Sequence, residues 1–164
     1  MNLVLFHLMP YAELDLEAGR TTVIATHLPR AGHAAVKLKD GKVLLIGGAN
    51  DHHQLEARIE AFDPKSRTFS VIGSLASGGI HQQAVLLASG QILVCGGMDA
   101  EGGSTNRAEL IDTATGKSSA LPNGMSRKRY NHQAVVLDNG LVLITGGAGD
   151  AESPRHRIRP VHHQ

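Results

Sequence analysis

Short apolar runs separated by turn residues recur along the chain at a nearly constant interval. Three of them, Ala34–Leu38, Ala84–Leu87 and Gln133–Leu137, are β-branched and aliphatic. Each is followed by Asp40-Gly41, Ser89-Gly90 or Asn139-Gly140, residues that supply positive φ in a tight hairpin turn. A second run follows each turn: Val43–Ile46, Ile92–Cys95 and Leu141–Thr145 are almost continuously apolar, as a strand buried on both faces should be. Leu55–Phe62 comes nearest to a 3.6-residue period, but its register with Asn106–Asp112 makes it a strand. The pattern predicts an all-β chain.

The runs belong to a repeat. HAAVKLKDGKVLLIGG (His33–Gly48), QQAVLLASGQILVCGG (Gln82–Gly97) and HQAVVLDNGLVLITGG (His132–Gly147) share one internal register. The turn glycines Gly41, Gly90 and Gly140 each stand six residues before a double glycine, Gly47-Gly48, Gly96-Gly97 or Gly146-Gly147. The double glycines are 49 and 50 residues apart. A second element lies between the copies. Arg58-Ile-Glu-Ala-Phe-Asp63 is matched by Arg107-Ala-Glu-Leu-Ile-Asp112, each running through a polar turn into another short strand. A weaker form, Asp15-Leu-Glu-Ala-Gly19 with Thr21–Ala25, precedes the first copy, and the form expected after Gly147 is degenerate. Four short strands per repeat is the content of one β-propeller blade.

Composition narrows the class. Of 164 residues, 41% are apolar and 19% charged, as in a globular protein. Sixteen Lys and Arg against fifteen Asp and Glu leave +1, so no global field recruits nucleic acid or a membrane surface. Cys95 is the only cysteine, which excludes an intrachain disulfide framework and a multi-cysteine zinc site. No apolar run is long enough to cross a bilayer. Met1–Met9 lacks the basic start and cleavage site of a signal peptide, and with a single Cys this points to the cytoplasm.

The double glycines, the His-x-Ala-Val starts (His33, His132), the Asp-Gly or Asn-Gly hairpins and the Glu-x-x-Asp pairs (Glu60–Asp63, Glu109–Asp112) together resemble the kelch family of β-propellers, over roughly residues 11–150. The resemblance implies blades of four antiparallel strands, the first two inner and the last two outer. It divides the chain into an outer hairpin (11–28), a blade (29–77), a second blade (78–127) and an inner hairpin (128–150). Segment 1–10 precedes these and a basic tail, 151–164, follows. That is about three blades: a partial propeller, or half of a six-bladed ring closed by self-association. Where the family carries Tyr and Trp, this chain has Phe62 or Ile111 and Phe69 or Ser119, which implies thinner packing between blades.

The candidate chemistry is sparse. His52-His53 and His162-His163 are adjacent pairs, whose side chains point to opposite sides of an extended segment, so no metal site is expected. Gly116-Lys117-Ser118-Ser119 looks like the end of a phosphate loop, but Ile111 stands where its first glycine belongs, so it is a hairpin turn. From Met125 onward six Lys and Arg face three Asp and Glu, without the interleaved aromatics of a nucleic-acid surface. Arg30 and Arg129 each stand three residues before His33 or His132, at what the resemblance makes the mouth of a central channel. These four are the candidate binding residues, for an anion or a partner's acidic side chain. Copper radical oxidases share the family's architecture, but need a tyrosine–cysteine crosslink; Cys95, Tyr11 and Tyr130 are not placed to meet. No catalytic residue and no cofactor are assigned, and the chain reads as a non-enzymatic module binding a protein partner through loops Asn50–Ala57, Ser74–Gly79, Met98–Asn106 and Asn123–Arg129. The alternatives are part of a carbohydrate-active or galactose-oxidase-like enzyme propeller, and a truncated remnant without independent function.

Overall fold

The computed structural model describes residues 11–24 and 28–149. Expectations for segment 1–10 and tail 151–164, including His162-His163, fall outside the described residues. Among the described residues there are twelve strands and no helix: β1 (Tyr11–Asp15), β2 (Arg20–Ile24), β3 (Ala34–Lys37), β4 (Val43–Ile46), β5 (Arg58–Asp63), β6 (Thr68–Ser74), β7 (Gln83–Leu86), β8 (Ile92–Cys95), β9 (Ala108–Ile111), β10 (Ser118–Ala120), β11 (Tyr130–Val136) and β12 (Val142–Ala148). They form two antiparallel four-stranded sheets, β3-β4-β5-β6 and β7-β8-β9-β10, between two-stranded sheets β1-β2 and β11-β12. This is the all-β arrangement of blades that the repeat predicts, and Leu55–Phe62 supplies strand β5 rather than a helix.

The hairpin turns are one residue longer than the tight turn expected. Leu38 N donates to Lys42 O at 2.8 Å, and Gly41 N to Leu38 O at 3.1 Å. Only Gly41 has positive φ (93°); Asp40 does not. This is a type I turn closed by a left-handed glycine, and it recurs at Leu87–Gln91 and Leu137–Leu141. The residue before the glycine accepts a bond from the backbone two residues on: Asp40 from Lys42, Ser89 from Gln91, Asn139 from Leu141. Short side-chain acceptors at that position are therefore selected by the turn itself.

Strands β4 and β8 are buried on both faces, as their composition requires. Val36, Leu44, Ile46, Ile59 and Ala61 of the first blade pack against Ile92 and Val94 of the second. Cys95 and Ala108 of the second pack with Met125, Leu93, Ala134 and Ile144, which seats the last hairpin. Leu141–Thr145, expected to be buried on both faces, is part-buried on one and exposed on the other: Leu143 and Val135, the repeat equivalents of Leu44 and Val36, are half exposed. The described residues place no further blade on that side. Three aromatics meet at the first blade, where Phe62 lies 4.9 Å from Phe69, and Phe69 lies 5.3 Å from Tyr11 of β1.

Candidate functional site

The first strands of successive units, β3, β7 and β11, run side by side. Just ahead of them a backbone belt links the units: His81 N donates to Gly32 O (2.9 Å) and Asn131 N to His81 O (3.0 Å). Gly32, His81 and Asn131 occupy one repeat position and all have positive φ, 69°, 57° and 53°. Sequence reasoning missed this belt, because the left-handed position is filled by three residue types rather than by glycine each time. Its signal was that Gly, His and Asn are among the residues that tolerate that conformation best.

The candidate residues flank the belt in two separate groups. Arg30 is buried and fully used inside its blade. Its Nη2 donates to Glu60 Oε2 at 3.0 Å, its Nη1 to Gly47 O (3.1 Å) and Arg58 O (2.8 Å), and its Nε to Leu28 O (3.3 Å). His33 lies beside it, with Tyr11 edge-on at 5.9 Å. Burial, and then the Arg30 charge, hold the His33 imidazole below its ordinary pKa. In the second blade Gly79 stands at the Arg30 position, so the carboxylate is met from elsewhere: Arg107 lies 3.3 Å from Glu109. Arg107 also donates to Ser77 Oγ, to Gly78 O at 3.1 Å and to Gln82 Oε1 at 3.2 Å. Glu60 and Glu109 are thus blade clamps.

The second group is Arg129 with His132. His132 is fully buried, and its Nε2 lies 3.5 Å from Cys95 Sγ. Burial followed by the Arg129 charge lowers the His132 pKa. Burial raises that of Cys95 to about 11. Arg129 repeats one Arg30 contact, Nη1 to Gly146 O at 3.0 Å, but its guanidinium is partly exposed. It lines a cavity of about 310 Å³ with Leu93, Cys95, Met125, Val142 and Ile144. The structure brings each arginine near its histidine without joining the two groups into one site.

The loops after the double glycines share one scaffold. Asn50 Oδ1 accepts from the backbone N of His52 and Gln54, both at 3.0 Å. Asp99 Oδ1 accepts in the same way from Glu101 (3.1 Å) and Gly103 (2.8 Å). On these matched rings the exposed tips differ: Asp51-His52-His53 in one, Ala100-Glu101-Gly102 in the other. Among the described residues no group of three or more His, Cys, Asp or Glu is placed to hold a metal ion. No helix among them is long and apolar enough to cross a membrane.

Repeated four-stranded antiparallel sheets, packed face to face with their first strands adjacent, are the blades of a partial β-propeller. The Kelch motif matches residues 29–76, which contain the whole first blade, and this match supports a kelch-repeat reading of the chain. The chain is 26% identical over 139 residues to acyl-CoA-binding domain-containing protein 4 of Arabidopsis thaliana, a match covering 82% of this chain and 21% of that protein. The motif is that of a protein-interaction repeat.

Proposed function

We propose that the chain is a non-enzymatic interaction module that binds a protein partner through the loops between its strands: Asn50–Ala57, Ser74–Gly79, Met98–Asn106 and Asn123–Arg129. The observation that carries this reading is the pair of matched loops after Gly48 and Gly97. Each is held from within by a side-chain ring, at Asn50 or Asp99, while its exposed tip is free to vary. A pre-ordered backbone with variable tips lowers the ordering cost of recognition and leaves the blade core untouched. Arg129 extends the same rim, whereas Arg30, His33 and the buried His132 stiffen the blades beneath it.

The test replaces 51–54 and 100–102 with Gly-Ser segments of equal length and compares partners retained from a lysate. The reading requires partners held by the unaltered chain to be lost with the replaced loops while the unfolding temperature is unchanged. Retention of the same partners by both would overturn it.

A further inference from the structure

We propose that Asn139 is a site of spontaneous deamidation, in which the Gly140 amide closes on the Asn139 side chain and water reopens the ring. This turn lies outside the four loops assigned to partner binding, so the two readings stand or fall separately.

The chemistry needs an asparagine followed by an uncrowded amide. The backbone N of the next residue gives up its proton to hydroxide and attacks the side-chain Cγ. The Cγ–Nδ2 bond breaks, ammonia leaves with a proton regained from water, and a five-membered succinimide remains. Water then adds to one of the two ring carbonyls. Opening at the side-chain nitrogen link gives aspartate; opening on the Cα side gives isoaspartate, whose main chain runs through the former side chain. Nothing is oxidised or reduced. Glycine in second place favours the attack because no Cβ stands in its way. The sequence holds two such pairs, Asn123-Gly124 and Asn139-Gly140.

Their surroundings set them apart. Both glycine amides are engaged, Gly140 N with Leu137 O at 2.9 Å and Gly124 N with Leu121 O at 3.2 Å, so each must come free before it attacks. Gly124 has little room to do so. A Cβ there would lie 2.2 Å from Asn106 O. The next residue, Met125, is buried and tied twice to Asn106: its N donates to Asn106 O at 2.7 Å, and its O accepts from Asn106 Nδ2 at 3.1 Å. At Gly140 a Cβ would meet no described atom within 4 Å, and residues 138–141 are all exposed. The Asn139 carboxamide is also poised. Its Oδ1 accepts from Leu141 N at 3.1 Å, which sets a donor on the oxygen that gains negative charge as Gly140 N adds to Cγ.

The repeat shows what each product does to the turn. Asp40 holds the same place in the first hairpin and accepts from Lys42 N at 3.0 Å, so aspartate at 139 leaves the turn closed. Isoaspartate adds one carbon to the main chain inside the turn. The bonds from Gly140 N to Leu137 O and from Leu137 N to Leu141 O then no longer match, and with them goes the start of the β11–β12 register at Val136 and Val142.

The experiment incubates the full chain in mildly alkaline buffer, native and unfolded in guanidinium, and follows each asparagine by digestion and fragment mass spectrometry. In the native chain residue 139 is expected to gain the mass difference between amide and acid at least about tenfold faster than residue 123, and the gap should close in guanidinium. Gly140→Ala should slow the change at 139 about tenfold. Asn139→Ser should abolish it with an unchanged unfolding temperature, since Ser89 fills that place in the second hairpin and its Oγ accepts from Gln91 N. Asn139→Asp should unfold with the parent chain, and the isoaspartate form below both. Equal rates at 123 and 139 in the native chain, or a native Asn139 that stays intact while the unfolded sample converts, would overturn the proposal. An isoaspartate form that unfolds with the parent would overturn its effect on the hairpin.

Discussion

Arg30 Nη2 donates to Glu60 Oε2 across 3.0 Å with neither side chain exposed to solvent. The pair ties the segment before β3 to β5, and so closes the first blade across its inner and outer halves. Removing one partner leaves the other charge buried and uncompensated, which costs about 3–5 kcal/mol. Glu60→Ala is expected to lose that much in urea unfolding, and Glu60→Gln less, because the amide still accepts a bond. Arg30→Met with Glu60→Leu together should lose less than the two single changes summed. Additive losses would mean the ion pair is not the unit that closes the blade.

Gly96 shows why a glycine ends each second strand. A Cβ there would lie 2.5 Å from both Arg129 O and His132 Cε1, at a φ of +68°. At Gly146, with nearly the same φ, it would meet nothing within 4 Å. Left-handed backbone alone costs a non-glycine residue about 1–3 kcal/mol. Gly146→Ala should show that cost only, and Gly96→Ala should be clearly worse, because β11 must move. Equal destabilisation by the two in thermal unfolding would show that the close approach between blades is unimportant.

Much of this was legible in the sequence, and the reasons are local. Val43–Ile46 and Ile92–Cys95 appear as strands at their predicted bounds, because continuous aliphatic runs between a turn glycine and a double glycine leave little other choice. Arg30 and Arg129 could be singled out by position, but not told apart. That Arg30 is clamped by a carboxylate depends on Glu60, which stands far off in sequence. Nor could the exchange in the second blade be read, where Gly79 vacates the arginine position and Arg107 turns to Glu109. Such compensation needs three strands in register at once. The exposed face of Leu143 was likewise hidden, since its composition is that of a doubly buried strand and only its neighbours differ.

Cys95 is expected to be inert in the folded chain. It is 1% exposed, packed with Ala108 and Met125, and burial raises its pKa to about 11. The thiolate is the reactive form, so at pH 8 labelling by a disulfide reagent should run roughly two orders of magnitude slower than for a free thiol. Urea above the unfolding midpoint should restore the ordinary rate. Rapid labelling of the native chain would show that the seat of the last hairpin on the second blade opens readily.

The pH dependence of stability follows from His33 and His132. Burial first, then a neighbouring arginine in each case, holds both imidazoles below their ordinary pKa. Above about 6.5, the unperturbed value, both are neutral whether the chain is folded or not, and their contribution is complete. As pH falls through that value the unfolded chain takes up protons that the folded chain refuses, so stability drops toward the lowered folded pKa. Asp112 and Glu56 are shifted in the same direction, but they titrate in the acid range well below this window. The urea midpoint should therefore decline between pH 7 and 5. His132→Gln should flatten that decline while keeping the fold, because Gln82 already fills the same repeat position and its Nε2 donates to Ile46 O at 3.2 Å. His33→Gln should remove a further part. If the slope between pH 7 and 5 survives both substitutions, the buried imidazoles are not its source.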